Sequence, residues 1–356
     1  MRKVALELLT PDMVLAKPVY HFDNILLKAG TGQLDRYVSG LSRLGISHLY
    51  VVDKLSEDII VEDTISQETR LRCKQVLFST MNVLAVQGIL ETELLSESAD
   101  EILDEILKNA SVLVSMNEIG TSDDSTFDHS INAAIYSLLI AKQLGYPRVR
   151  AKKLAMGLLL HDIGKTMVDQ KILYKPGRLT QEEYEYIKTH TVLGYEALKR
   201  NDSLTELSRI IALSHHERLD GSGYPNRLKG DELHEFARIA AIVDIYDALT
   251  SERCYHKKKS ICEAVSILRE EASGKLDPDL FALFVRSLAI YPNGTMVTLS
   301  DGTTGVVKSQ NPDLPYRPVV RVIRDRLGRS TPLYEVDLSR DRGMRIQDLG
   351  QNGSEI

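Results

Sequence analysis

Between about residues 121 and 290, apolar residues recur at spacings of three and four, the pattern of helices that bury one face. Ala133, Tyr136 and Ile140 mark one helix, residues 151–160 a second, Leu207, Ile210 and Ile211 a third, and residues 236–249 a fourth. The same spacing runs upstream through Leu71, Val76, Leu77, Val83 and Leu84, then Ile102, Leu103, Ile106 and Leu107. Residues 63–120 therefore read as a helical connector, either a connecting bundle or the stalk of a homodimer. Both ends of the chain follow another rhythm. Strands are expected over 14–20 and 25–28 around an Asp23-Asn24 turn, then a helix over 34–44 stopped by Gly45, then a strand over 48–52. Residues 1–62 thus form a small mixed α/β module, in which His21 and His48 stand isolated. The pattern changes again at Tyr291-Pro292-Asn293-Gly294. Segments 296–300 and 305–308 flank Asp301-Gly302, a strong hairpin signal, and strands over 319–323 and 333–338 follow. Residues 291–345 are expected to make a small β-barrel-like module, with 346–356 as a polar tail. The fold class is mainly α.

Composition agrees with that class. Of 356 residues 43% are hydrophobic, tryptophan is absent and aromatics reach only 6%, so the core rests on Leu, Ile, Val and Ala, which favour helix. The 44 basic and 50 acidic residues give a net charge of −6, which argues against a partner such as polymeric nucleic acid. It leaves room for a small anionic substrate, because metals and a few placed cations dominate locally. Cys73, Cys254 and Cys262 have neither metal-type nor disulfide-type spacing, which suits a reducing compartment. There is no leader-like apolar run, and no stretch reaches the roughly 18 uninterrupted apolar residues of a spanning helix; Val76 to Leu90 comes nearest but is broken by Ser79, Asn82 and Gln87. A cytoplasmic protein without a membrane partner is expected.

The chemistry lies on the central helices. His161-Asp162-Ile163-Gly164-Lys165 follows an apolar helix that Gly164 is expected to end. A histidine and an aspartate there are costly unless satisfied, and a divalent metal satisfies both. Alone, the pair also fits a neutral histidine and an aspartate bonded to backbone. Gly164-Lys165-Thr166 is not the end of a phosphate-binding P-loop, since six residues separate Gly157 from Gly164 and the run reads as helix. His215-His216-Glu217 ends another helix and leads into Asp220-Gly221-Ser222-Gly223-Tyr224-Pro225, whose glycines allow close approach to a ligand. Glu217 is expected to orient a ligating histidine. His129 sits in a helix beginning near Asp128, His190 at the end of another, and Asp244 in the apolar helix over 236–249. Each alone is compatible with a capped, paired or solvent-facing residue; together they are hard to reconcile with that.

In this order, His129, His161-Asp162, His190, His215-His216 and Asp244 resemble the metal-ligand series of the HD-GYP family, cyclic di-GMP phosphodiesterases within the HD metal-dependent phosphohydrolases. The fingerprint HHE-x-x-DG-x-GYP is complete from His215 to Pro225, and Lys188-Thr189-His190 with Gly194 and the run from Asp244 to Arg253 also match. The resemblance covers about 121–290. Weaker similarities link Leu26-Leu27-Lys28-Ala29-Gly30-Thr31 and the segment after Tyr291 to modules that accompany such domains in bacteria. It implies a helical HD-type metal-binding bundle with two divalent ions, iron or manganese rather than magnesium. Asp162 would bridge them; His129, His161 and Asp244 would complete one, and His190, His215 and His216 would serve the other. The implied activity is hydrolysis of cyclic di-GMP to linear pGpG, GMP or both by a metal-activated water.

Lys165 would neutralise phosphate charge or assist the leaving oxygen, Arg253 would grip a phosphate, and Tyr224 would support the guanine-binding loop. As an exposed lysine at a helix end, Lys165 is also explained by the helix dipole, Arg253 likewise by charge complementarity, and Tyr224 equally by aromatic packing. Beyond Arg253 the chain departs from the family pattern, with Cys254 for a proline and His256 for Arg or Lys, while Lys257, Lys258 and Lys259 keep positive charge nearby. Some relatives bind a third ion through a glutamate four residues before the first histidine. Here that residue is Ser125, a poor ligand by comparison, and Asp124 would point about 100° away on a helix. Two ions are expected. The alternatives are an HD hydrolase of another cyclic dinucleotide or nucleotide phosphate, and a non-catalytic nucleotide-binding signalling protein, whose mark would be degenerate ligands.

Overall fold

The computed structural model describes residues 1–21, 24–108, 120–121, 125–251, 259–311 and 314–349. They divide into two compact units. One unit holds both ends of the chain. Its amino-terminal part contains β1 (Arg2–Ala5), β2 (Val14–Leu15), β3 (Val19–His21), β4 (Asn24–Leu27), α1 (Val38–Arg43) and β5 (His48–Val52). Strands β1, β5 and β2 form an antiparallel sheet whose apolar residues Val4, Leu15, Leu49 and Val51 pack with Leu34 and Leu41. β3 pairs antiparallel with β4 and parallel with the short β6 (Gly120–Thr121). Of the expected turn, Asp23 lies outside the described residues and Asn24 already belongs to β4.

The carboxy-terminal strands are β7 (Met296–Leu299), β8 (Thr304–Ser309), β9 (Val319–Arg324), β10 (Ser330–Asp337) and β11 (Ile346–Leu349). They form one antiparallel sheet in the order β10-β9-β8-β7-β11. The expected barrel is therefore not closed. The reason lies in the alternation of strand residues between faces. Val307, Val320 and Val322 pack on one face with Val297, Leu299 and Leu338. Their neighbours Val306 and Ile323 face the other way and are buried against Tyr50, Ile59 and Val61 of the amino-terminal part. The second face is thus covered without closure. Arg321 reinforces the junction by donating to the Leu55 carbonyl and to the carboxylates of Asp58 and Glu335. Residues 346–349, assigned to the tail by pattern, pair with β7.

The second unit is helical. α2 (Gln67–Gln87) is capped by Ser66, whose hydroxyl accepts from the Thr69 amide, and ends at Gly88. α3 (Glu93–Lys108) buries Leu95, Ala99, Ile102, Leu103 and Ile106. The two pack on each other and on α4 (Ser125–Gln143) and α5 (Arg148–Leu159), so the connector joins the bundle. α4 is buried on every side over residues 129–141, as expected of a central helix. After α5 comes a short 3-10 helix, Ile163–Met167, then α6 (Gln170–Leu173), α7 (Gln181–Lys188), α8 (His190–Lys199) and α9 (Glu206–Ser214). α10 (Glu235–Thr250) packs against α4 and α9, and α11 (Ile261–Glu271) and α12 (Pro278–Arg286) complete the unit. No helix among the described residues is long and apolar enough to cross a membrane.

Candidate metal centre

Five elements converge on one point. α4 carries His129, the turn that follows α5 carries His161 and Asp162, α8 opens with His190, α9 runs into His215 and His216, and α10 carries Asp244. Gly164 makes the convergence possible. It does not cap α5, which stops at Leu159; it lies inside the 3-10 helix, with no left-handed backbone. A Cβ there would sit 1.9 Å from the His190 carbonyl oxygen and 2.6 Å from the Gly194 nitrogen. Only glycine lets this turn lie on the start of α8, which is what sets Asp162 beside His190.

The described site residues meet in a largely buried pocket. His129, His161, Asp162, His190 and His215 are all buried. The two oxygens of Asp162 face different histidine pairs. Oδ2 lies 3.6 Å from His129 Nε2 and 3.5 Å from His161 Nε2, whereas Oδ1 lies 3.6 Å from His190 Nε2 and 3.7 Å from His215 Nε2. The ring nitrogens within each pair are 3.1 and 3.3 Å apart. Asp244 Oδ1 is 3.1 Å from His129 Nε2, and its Oδ2 is 3.5 Å from His216 Nδ1. Lys165 Nζ donates to Asp162 Oδ2 at 2.5 Å. Arg253 lies outside the described residues.

This arrangement fits cations. The Nδ1 atoms of His161 and His190 face the carbonyls of Leu158 and Ile187 at 2.6 and 2.7 Å, and that of His215 faces the Ile211 and Ala212 carbonyls at 3.0 Å. A carbonyl only accepts, so Nδ1 carries the proton and Nε2 presents its lone pair. His129 Nδ1 likewise faces Asp247 Oδ2 at 2.7 Å. Lone pairs aimed at one another in a buried pocket repel unless a positive charge lies between them. Ligand atoms about 2.1 Å from one ion, at angles of roughly 90–110°, stand about 3.0–3.4 Å apart, close to the separations seen here. Asp162 Oδ1 is buried with no hydrogen-bond partner among the described residues, an orphan that a cation would satisfy.

The electrostatics follow. Burial pushes His161 and His190 down, His215 well down and His216 to about 3, which keeps these rings in the neutral, ligating form. Burial would lower His129 too, but its bonds to Asp244 and Asp247 lift it to about 9. A cation would displace that proton. Burial works against the charge of Asp162 as well, yet Lys165 and the surrounding histidines hold its carboxyl well below the usual range. Asp244 is held low by His129 against the same opposition.

Two residues have roles that sequence reasoning did not assign. Asp247 is fully buried, bonded to His129 through Oδ2 and to the Asn132 amide through Oδ1 at 2.9 Å, while Arg70 donates to Asn132. A second aspartate one turn beyond Asp244 on an apolar helix was the available signal. Glu217 does not orient a histidine. Its carboxylate, fully buried, accepts the backbone N–H groups of Asn226 and Arg227 on Oε1 (2.7 and 3.0 Å) and of Leu228 on Oε2 (3.2 Å), and so clamps the loop. Gly223 closes over it, where a Cβ would meet the Glu217 Cα at 2.4 Å. The loop presents Tyr224, whose ring lies 4.8 Å from that of His216.

Buried helices with paired histidines and aspartates are the features of an HD domain, and residues 104–280 match the family model described as the HD domain. Residues 296–351 match a KOW domain associated with HD domain. With the complete Gly-Tyr-Pro fingerprint, the chain belongs to the HD-GYP family. It is 34% identical over 270 residues to a cyclic di-GMP phosphodiesterase of Pseudomonas aeruginosa, covering 76% of this chain and 65% of that one. It is 38% identical over 168 residues to the 3'3'-cGAMP-specific phosphodiesterase 3 of Vibrio cholerae, covering 47% and 36%. A cyclic di-GMP phosphodiesterase of Thermotoga maritima is 40% identical over 166 residues, covering 46% and 45%. The chain thus spans less than two thirds of the length of each of these relatives.

Proposed function

We infer that the chain is a metal-dependent phosphodiesterase that hydrolyses cyclic di-GMP to linear pGpG, GMP or both. The observation that carries this reading is the pairing of histidine ring nitrogens around the two oxygens of Asp162. Asp162 would bridge two divalent ions, one completed by His129, His161 and Asp244, the other by His190, His215 and His216. Such a nitrogen-rich donor set suits iron or manganese better than magnesium. When bound, the ions supply a water nucleophile at neutral pH and offset the charge on the phosphoryl oxygens.

The chain's own residues orient and neutralise. Asp247 and the backbone carbonyls fix the ring tautomers, and burial strengthens each charge interaction. Lys165 brings positive charge toward the phosphate and a proton toward the leaving oxygen. Arg253 grips a phosphate through its planar guanidinium, and Tyr224 forms one wall of the nucleotide site. Residues 121–290 carry the hydrolysis in this reading, and 1–62 a regulatory input.

A second reading keeps the site and changes the substrate to another 3'3'-linked cyclic dinucleotide, which the similarity to a cGAMP-specific enzyme favours. Anaerobic purification, metal analysis and turnover of cyclic di-GMP, 3'3'-cGAMP and cyclic di-AMP on one sample test both. Preferred turnover of cyclic di-GMP by metal-loaded protein is expected. Metal-loaded protein inert toward all three would overturn both readings.

A further inference from the structure

Beside the metal centre, on the far side of Tyr224, lies a cleft of about 430 Å³. Glu185, Lys188, Thr189, Tyr224 and Arg227 line it. It borders the site directly: Thr189 precedes His190, and the Tyr224 ring touches both the His216 ring and, at 5.1 Å, the Lys188 ammonium. Its charges are unequally engaged. Lys188 is paired with Glu185 at 2.7 Å, whereas the Arg227 guanidinium makes no such close contact among the described residues and interacts with the Glu185 charge only from further away. With one carboxylate, Glu185, set against Lys188 and Arg227, the cleft keeps a net positive charge, and Arg227 is its less tightly paired cation.

Arg227 is also conformationally unusual. Its φ of 56° is left-handed, a region that residues with a Cβ seldom enter. Glycine would adopt it freely, so the side chain is kept there against local preference, which points to use of that side chain. The conformation is enforced from beneath, because the buried Glu217 carboxylate holds the amides of Asn226, Arg227 and Leu228 together. An exposed arginine on a rigidly clamped loop is pre-organised to meet a ligand.

We propose that Arg227 binds the second, uncleaved phosphodiester of the cyclic dinucleotide while the first lies at Asp162. The inference rests on the hydrolase reading above. A cyclic dinucleotide carries two phosphodiesters in one ring, so placing one at the metal centre leaves the other to emerge into the adjoining space. The cleft beyond Tyr224 is that space, and a guanidinium is the side chain suited to an anion with two free oxygens.

Arg227→Gly and Arg227→Asn remove the charge while keeping residues that accept the left-handed backbone, so the loop should stay folded. Calorimetric affinity for cyclic di-GMP is compared with turnover of bis(p-nitrophenyl) phosphate, which has one phosphodiester and no second half. The expected result is roughly ten- to hundredfold weaker cyclic di-GMP binding, the worth of a charge-assisted hydrogen bond, with bis(p-nitrophenyl) phosphate turnover unchanged. Unchanged cyclic di-GMP affinity in both variants overturns the proposal, as does a parallel loss of both readouts, which would place the effect in the metal centre. Binding that depends on Arg227 without hydrolysis by metal-loaded wild type would sink the hydrolase reading and leave this inference standing.

Discussion

Replacing Gly164 by alanine tests the construction of the site without touching any proposed ligand. The added Cβ would sit 1.9 Å from the His190 carbonyl oxygen, whereas ordinary contact begins near 3.4 Å. Relief requires the 3-10 turn and the start of α8 to separate by on the order of 1–1.5 Å. His190 moves with that backbone, because its Nδ1 is bonded to the Ile187 carbonyl one turn back. Metal–ligand distances tolerate only about 0.2 Å, so the displacement exceeds the tolerance several-fold. The ion served by His190, His215 and His216 should be lost first, while that served by His129, His161 and Asp244 is retained. Misplacement of about 1 Å costs on the order of a hundredfold in rate. Overpacking costs about 1–3 kcal/mol, so the fold should survive with a melting temperature lower by several degrees. Metal analysis, cyclic di-GMP turnover and circular dichroism on one preparation give the three readouts. Gly194→Ala is the graded control, since its Cβ would stand 3.1 Å from the Gly164 nitrogen and needs only a few tenths of an ångström of movement. A folded Gly164→Ala protein with wild-type metal content and turnover would refute the role given to this contact.

Asp162→Ala should abolish cyclic di-GMP hydrolysis with the helical circular dichroism signal retained, because a shared bridging carboxylate serves both ions; near-normal turnover by a folded, metal-loaded variant sinks that assignment. Asp247→Asn should lower metal affinity roughly ten- to hundredfold by loosening His129, measured by competition with a chelator, and an unchanged affinity would show that Asp247 only fills the core. Arg321→Met should lower stability by about 1–2 kcal/mol, the bonds to Asp58 and Glu335 being discounted for their exposure, and an unaltered denaturation midpoint would contradict it. Metal counting on fully active protein should give two ions per chain, since α4 begins at Ser125, one turn before His129, with no carboxylate at that position; three fully occupied ions would refute it.

The helical unit was legible because its apolar spacing and its chemistry coincide on the same helices. His161 and Asp162 just after α5, the histidine pair after α9 and Asp244 within α10 could all be placed from local pattern. His190 fell two residues beyond the helix it was read into and instead opens the next, since both segments keep a helical rhythm across Thr189. Glu217 was misread for a different reason. Adjacency to two histidines suggested a bond to one of them, but a carboxylate's partner is chosen by the folded loop, and here three amides nine to eleven residues away outcompete any ring. The β strands were found by alternation; the openness of their sheet was not, because alternation says that two faces exist and not what covers the second.

The same distinction explains where this site is vulnerable. Histidine and aspartate identities are written in the motif, but their convergence depends on backbone surfaces meeting with nothing between them. At Gly164 that surface is the His190 carbonyl, and at Gly223 it is the backbone of His216, Glu217 and Arg218. Neither glycine has a left-handed backbone, so neither is kept for conformational freedom. Each is kept because a single Cβ would exceed the available space by more than half an ångström against atoms that cannot rotate away. Side-chain ligands can adapt through their rotamers, whereas such a contact can relax only by moving a whole helix or loop, which carries its ligands with it. Conservative changes at these two glycines should therefore cost more function than comparable changes at half-exposed wall residues such as Tyr224.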